Sequence, residues 1–222
     1  MKHIKSYKIF ESAEPNFPTT REEVIEVCEK YKIEKYSIND DLSIDVDGDV
    51  YLDSQSLEHL PLKFNYVSGV FYCSYNKLKS LEGSPKTING RFSCSNNELK
   101  TLKGSPQTVN GDFNCFNNKL ESLEGSPQTV NGNFLCFNNE LKDLEYFPEV
   151  SGIIHIKKNT VNLLVYTFIK KADSFMIEDF VDYEIVRNRD TVMLDRLQTF
   201  IRDNDLEMPD LEEIKKHYKI IE

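Results

Sequence analysis

A unit of 21 residues recurs through the middle of the chain, and this periodicity restricts the fold more than any other feature. Gly83, Gly104 and Gly125 keep that spacing, as do Cys73, Cys94, Cys115 and Cys136, and Asn76, Asn97, Asn118 and Asn139. The unit reads x-F-x-C-x-x-N-x-L-x-x-L-x-G-S-P-x-x-V-N-G, with clean copies at 70–90, 91–111 and 112–132. A looser copy at 49–69 places Gln55 where the Asn belongs, and one at 133–152 is a residue short. A half copy follows, marked by Ile154, Ile156, Asn159, Val161 and Leu164.

Each position has a physical task. Phe-x-Cys puts two side chains on one face of a short strand, because strand side chains alternate with period two. The Asn three residues on reaches backbone groups of neighbouring coils. The two leucines fill the coil, and Gly-Ser-Pro turns the chain, Pro fixing φ and disfavouring a helix. The closing Asn-Gly is expected to supply φ > 0 before the next strand. One coil cannot bury its own leucines, so the coils must stack into a solenoid with a parallel sheet, roughly 25 Å wide at about 4.8 Å per strand. The organisation expected is an N-terminal helix and strand segment at 1–48, the solenoid at 49–164 and a helical region at 165–222. Thr20-x-x-Glu23 is a capping box opening a helix near 21–32, and Tyr36, Ile38, Leu42, Ile44 and Val46 read as strands. Helical periodicity returns at 162–171, 175–184 and 191–203, the last with Asp190 or Thr191 as N-cap, and Pro209 opens a helix near 209–218.

Charge and hydropathy narrow the function. With 27 Lys plus Arg against 37 Asp plus Glu, the net charge is -10, and the surplus sits in the flanking segments. A nucleic-acid face needs a local basic excess, so that partner class is disfavoured. No apolar run reaches the ~20 residues of a membrane span, and the first residues lack a secretory apolar core, so a soluble intracellular protein without membrane contact is expected. Four of the five cysteines share one repeat position. In a parallel ladder their Cβ vectors run side by side, so a column of small buried hydrophobes is expected, with neither disulfide nor metal. Asp45-Val46-Asp47-Gly48-Asp49 has the alternating acids of a calcium loop, but Ser54 stands where the bidentate Glu belongs, which favours a solvated turn. No nucleophile, phosphate-loop, dinucleotide or zinc-protease motif occurs, so the chain reads as non-enzymatic and free of cofactors.

The outward strand positions carry the functional information. Position one runs Asp49, Val70, Arg91, Asp112, Asn133, Ile153, and position three runs Tyr51, Tyr72, Ser93, Asn114, Leu135, His155. Position five runs Asp53, Ser74, Ser95, Phe116, Phe137, Lys157, and position six runs Ser54, Tyr75, Asn96, Asn117, Asn138, Lys158. Tyr51, Tyr72 and Tyr75 form one apolar patch, and Phe116, Leu135 and Phe137 another. Large aromatics on a rigid sheet have the composition of interface anchors. The candidate partner-binding residues are therefore Tyr51, Tyr72, Tyr75, Arg91, Asn114, Phe116, Leu135, Phe137 and His155; helices folding over the Phe116 patch would be the alternative for that group.

The N-x-L-x-x-L … P-x-x-V-x-G-x-F-x-C-x-x-N pattern over 49–164 resembles a bacterial or phage-type leucine-rich repeat of the short class with a polyproline-like convex side. It departs from the usual form in its Val-x-Gly before the strand and its Cys within it. The resemblance implies an α/β solenoid of parallel coils between an N-terminal α/β cap and a C-terminal helical cap, binding a protein on its concave face. The basic, amphipathic start, ending Ile9-Phe10-Glu11-Ser12, resembles the leader of internal capsid proteins of T-even-type phages, which is cut after hydrophobic-x-Glu. That resemblance implies processing between Glu11 and Ser12, a protein partner in the host, and a place in the host cytoplasm or packaged in a virion. A structural virion component assembling through its helical ends, and a glycan or small-ligand binder, are the other readings.

Overall fold

The computed structural model describes residues 16–142, 144–156, 159, 185–187, 191–216 and 218–222. Helix α1 (Arg21–Lys30) begins as the capping box requires: the Thr20 hydroxyl accepts the Glu23 N–H at 3.2 Å, and the Glu23 carboxylate accepts the Thr20 N–H at 3.3 Å. Its Val24 and Cys28 are fully buried. Strands β1 (Tyr36–Ile38) and β2 (Ile44–Val46) then pair antiparallel.

From there the chain winds as a parallel β-solenoid of about five turns. Its strands are β3 (Val50–Tyr51), β4 (Phe64–Val67), β5 (Phe71–Tyr72), β6 (Thr87–Ile88), β7 (Phe92–Ser93), β8 (Thr108–Val109), β9 (Phe113–Asn114), β10 (Thr129–Val130), β11 (Phe134–Leu135), β12 (Glu149–Val150) and β13 (Ile154–His155). They form two sheets where one was expected. The Phe sheet runs β13-β11-β9-β7-β5-β3, and the Val sheet runs β1-β2-β4-β6-β8-β10-β12. The second sheet exists because Thr-Val and Thr-Ile are themselves alternating pairs, Thr outward and the aliphatic residue fully buried. The register is in phase with the repeat: Phe71, Phe92, Phe113 and Phe134 stand opposite one another.

The inward positions fill a continuous core. The four phenylalanines stack face to face with centroids 5.2–5.7 Å apart, and the Cys and paired Leu columns are fully buried beside them, apart from Leu144 at 5 % exposure. Burying each such Phe or Leu contributes about 1.5–3 kcal/mol. The repeat asparagines do what the spacing predicts. Asn97 donates to Cys73 O in the preceding coil and to Cys94 O in its own, both at 3.0 Å, and accepts the Leu78 N–H at 3.0 Å.

The glycines divide their work differently from the expectation. Positive φ occurs at the Gly-Ser-Pro turns (Gly83 94°, Gly104 84°, Gly125 86°), whereas the Asn-Gly glycines serve close approach. A Cβ on Gly90 would lie 2.5 Å from Gly69 O, so consecutive coils touch backbone to backbone there.

Near the C-terminus, β14 (Val186–Arg187), β15 (Thr191–Met193) and β16 (Lys219–Ile221) form a small sheet accompanied by α2 (Leu194–Asp203) and α3 (Leu211–Lys215). The helix expected over 191–203 thus starts at Leu194, with Met193 at the N-cap in place of Thr191, and Asp190 lies outside the described residues. Residues 191–193 are extended because Val192 pairs in register with Ile220. The helix expected over 209–218 spans Leu211–Lys215. The expected helices at 162–171 and 175–184, and the Glu11–Ser12 bond, lie outside the described residues. No helix among the described residues is long and apolar enough to cross a membrane.

Candidate functional site

The outer face of the Phe sheet carries the candidate partner-binding residues, because positions one, three and five of each coil alternate with the buried Phe and Cys. Position six is reached differently. Ser54, Tyr75, Asn96, Asn117 and Asn138 all adopt φ of 53–57°, a left-handed step that turns the chain out of the strand. Asn tolerates that conformation because its short amide bonds locally, and here the amides also bond one another. Asn138 donates to Asn117 at 2.7 Å and Asn117 to Asn96 at 2.9 Å. This recurrent turn went unnoticed in the sequence, although Asn in three successive coils at one position was its signal.

The face has relief. At the β3 edge, Tyr51 is 57% exposed and Tyr75 64%, while Tyr72 is half-buried and meets Tyr51 edge to face at 5.8 Å. The Tyr51 hydroxyl donates to Asp49 Oδ2 at 3.0 Å, which raises the phenol's pKa. Asp49 Oδ1 accepts the Val70 N–H at 2.8 Å, and Asp53 Oδ1 the Ser74 N–H at 2.6 Å. Partial burial raises the Asp53 pKa, against the lowering effect of that Ser74 contact. The middle of the face is floored by three buried serines. Ser74 and Ser93 share a hydroxyl hydrogen bond at 2.8 Å, and Ser95 donates to Ser74 at 3.1 Å. Beyond them Phe116 and Phe137 stack in parallel at 4.6 Å, half-buried, with Leu135 half-buried at the adjacent row.

The remaining candidates are placed as follows. Arg91 is exposed and bridges to the next coil, its guanidinium 2.8 Å from Asp112 Oδ2. Asn114 stands opposite Ser93 and Leu135, with its Oδ1 buried and without a hydrogen-bond partner among the described residues. His155 is exposed on β13. The tyrosines and the phenylalanines are therefore two separate patches of one face, with the serine floor between them.

The acidic run is integrated into the coils: Asp45 accepts from Asn65 at 2.7 Å and Asp47 from Ser68 at 3.1 Å. Among the described residues no group of His, Cys, Asp and Glu converges to hold a metal ion, and all five cysteines are buried free thiols. A cleft of about 400 Å³ opens beside β4, lined by Phe17, Asp41, Lys63, Asn65, Glu82 and Lys86 among others, with Lys63 Nζ 5.4 Å from the centre of the Phe17 ring. Comparison with protein-family models, curated proteins and solved structures finds no match to the chain.

Proposed function

We propose that the protein is a non-enzymatic binding module of leucine-rich-repeat type, in which α1, β1 and β2 cap the first coil and the outer face of the Phe sheet receives another protein. The observation that carries this reading is the pair of exposed phenols, Tyr51 and Tyr75, on a face whose backbone is locked coil to coil by hydrogen bonds such as Cys73 N–H to Ser93 O at 2.8 Å. A rigid scaffold loses little conformational entropy on binding, and large aromatics are the side chains that most often anchor protein interfaces. The capping role of the N-terminal segment is supported by Val24 and Cys28, which join the same buried cluster as Val46, Val50 and Leu52. The leader-like segment ending at Glu11 supports a phage-encoded protein directed at a host protein.

The test is affinity capture from bacterial lysate with mass spectrometry, comparing wild type, Tyr51→Ser/Tyr75→Asn and Phe116→Ser/Phe137→Ser, each shown folded by circular dichroism. One partner captured by wild type and lost by a folded face variant is the expected outcome. Equal capture by all three would move the site off this face.

A further inference from the structure

Tyr75 breaks the pattern of its own position in two ways. First, it adopts φ 56° with a bulky aromatic side chain, where the next three coils carry Asn. Non-Gly residues other than Asn and Asp pay for this conformation, and such outliers gather at functional sites. Second, it ends the amide ladder. Asn117 and Asn138 each point Nδ2 toward the preceding coil, but Asn96 Nδ2, facing the coil that carries Tyr75, is buried without a hydrogen-bond partner among the described residues. Asn at 75 would answer both deficits. Tyr instead places a ring that is 64% exposed beside Ser74, whose N–H anchors Asp53.

The carboxylates that precede and flank Tyr51 lack a cation. Residues 45–53 contain Asp45, Asp47, Asp49 and Asp53 and no Lys, Arg or His. Their carboxylates are held by the neutral donors Asn65, Ser68, Val70 N–H, Tyr51 and Ser74 N–H, and no ion pair among the described residues joins them to a cation. Arg91, in the coil after Tyr72, hydrogen-bonds the Tyr72 side chain and is engaged by Asp112, so it does not reach Asp49 or Asp53. Exposed phenol rings above unpaired carboxylates attract an ammonium or guanidinium group both through the ring quadrupole and through Coulomb attraction.

We propose that Tyr51 and Tyr75, with Asp49 and Asp53, form a seat for a Lys or Arg side chain, so that the partner segment docking at this end of the Phe sheet is basic. This rests on the protein-binding reading and adds the chemistry of the partner. The test measures fluorescence anisotropy of labelled tetra-arginine, tetra-lysine and tetra-glutamate peptides with wild type, Tyr75→Asn, Tyr75→Phe and Asp53→Asn at about 0.15 M salt, where exposed charges more than ~8 Å apart are screened. Saturable binding of the basic peptides alone is expected, weakened roughly tenfold by Tyr75→Asn and by Asp53→Asn and kept by Tyr75→Phe. Tyr75→Asn leaves the net charge at -10, so a loss there separates the seat from diffuse attraction to an acidic protein. The same variant is expected to melt at a higher temperature than wild type, which excludes misfolding as the cause. Equal affinity of wild type and Tyr75→Asn, or binding of neither basic peptide, overturns the proposal. A captured partner lost in Phe116→Ser/Phe137→Ser but kept in Tyr75→Asn would overturn it too, while leaving the protein-binding reading intact.

Discussion

At the residue scale, Asn97 illustrates how one side chain closes the hydrogen-bond accounts of two coils. Its amide serves Cys73 O, Cys94 O and the Leu78 N–H, all inside the fold. Asn97→Ala strands these groups and should cost roughly 2–4 kcal/mol in urea unfolding, and Asn97→Asp should fare no better, because a carboxylate would face two carbonyls. Tyr75→Asn should move the other way, by about 1 kcal/mol, through relief of the left-handed backbone and a partner for Asn96. The thiols set a pH limit. Burial pushes Cys28 up to about 11, and Cys73, Cys94 and Cys115 further. These groups stay protonated in the folded state while the unfolded chain ionises them near pH 8.5–9. Stability from them is complete below that pH and falls as pH rises toward the folded values, by up to about 1.4 kcal/mol per unit for each thiol. Thermal melts from pH 7 to 10.5 should show the decline, and a thiol reagent at pH 8 should label the native protein only at the rate of unfolding.

At the element scale, two-residue strands succeed only because each is repeated in register beside its copies. Isolated Phe-Ser or Thr-Val pairs have no strand stability, and the 21-residue period supplies it by stacking. This explains what was legible beforehand. The Phe-x-Cys strand, the Asn ladder and the Leu columns follow from residue type and period together. The Val sheet was missed since two residues, Thr and Val, are too short a pattern to stand out beside Gly-Ser-Pro. The roles of the glycines were exchanged for a related reason: φ > 0 and close approach leave the same residue in the sequence, and only the neighbouring coil distinguishes them. The two apolar patches could be located from outward positions alone, but the serine floor between them and the turn at position six depend on lateral neighbours. The glycine column is itself testable. Gly90→Ala drives a methyl against the backbone of Gly69 and Val70 in the preceding coil, so the coils must part. A loss of roughly 3 kcal/mol or more is expected in chemical denaturation.

At the scale of the whole molecule, the identical pairing of β5, β7 and β9 makes the coils interchangeable spacers. Removing residues 91–111 should bring Phe71 opposite Phe113 and Ile88 into register with Val130, leaving a folded solenoid one turn shorter, with lower stability because one inter-coil interface is gone. Removing 20 residues instead leaves one coil a residue too long; the copy at 133–152, a residue short, keeps Phe134 opposite Ile154 by absorbing its difference in a turn, so that variant should fold but melt below the 21-residue deletion. Circular dichroism and melting of the two deletions check this directly. The 21-residue deletion also interrogates the binding face, because it leaves Tyr51, Tyr72, Tyr75, Phe116, Leu135 and Phe137 in place and removes Ser93 and Ser95 from between the patches. The patches then approach by about 4.8 Å, one strand spacing. A partner that bridges both patches as a rigid body would lose affinity by at least the contribution of one anchor, roughly 2 kcal/mol. A partner seated on the tyrosines alone would bind the shortened solenoid as it binds the full one. Affinity of the deletion variant for the captured partner and for the basic peptides therefore separates a two-patch interface from a single cation seat, since the seat residues of coils 49–69 and 70–90 are untouched.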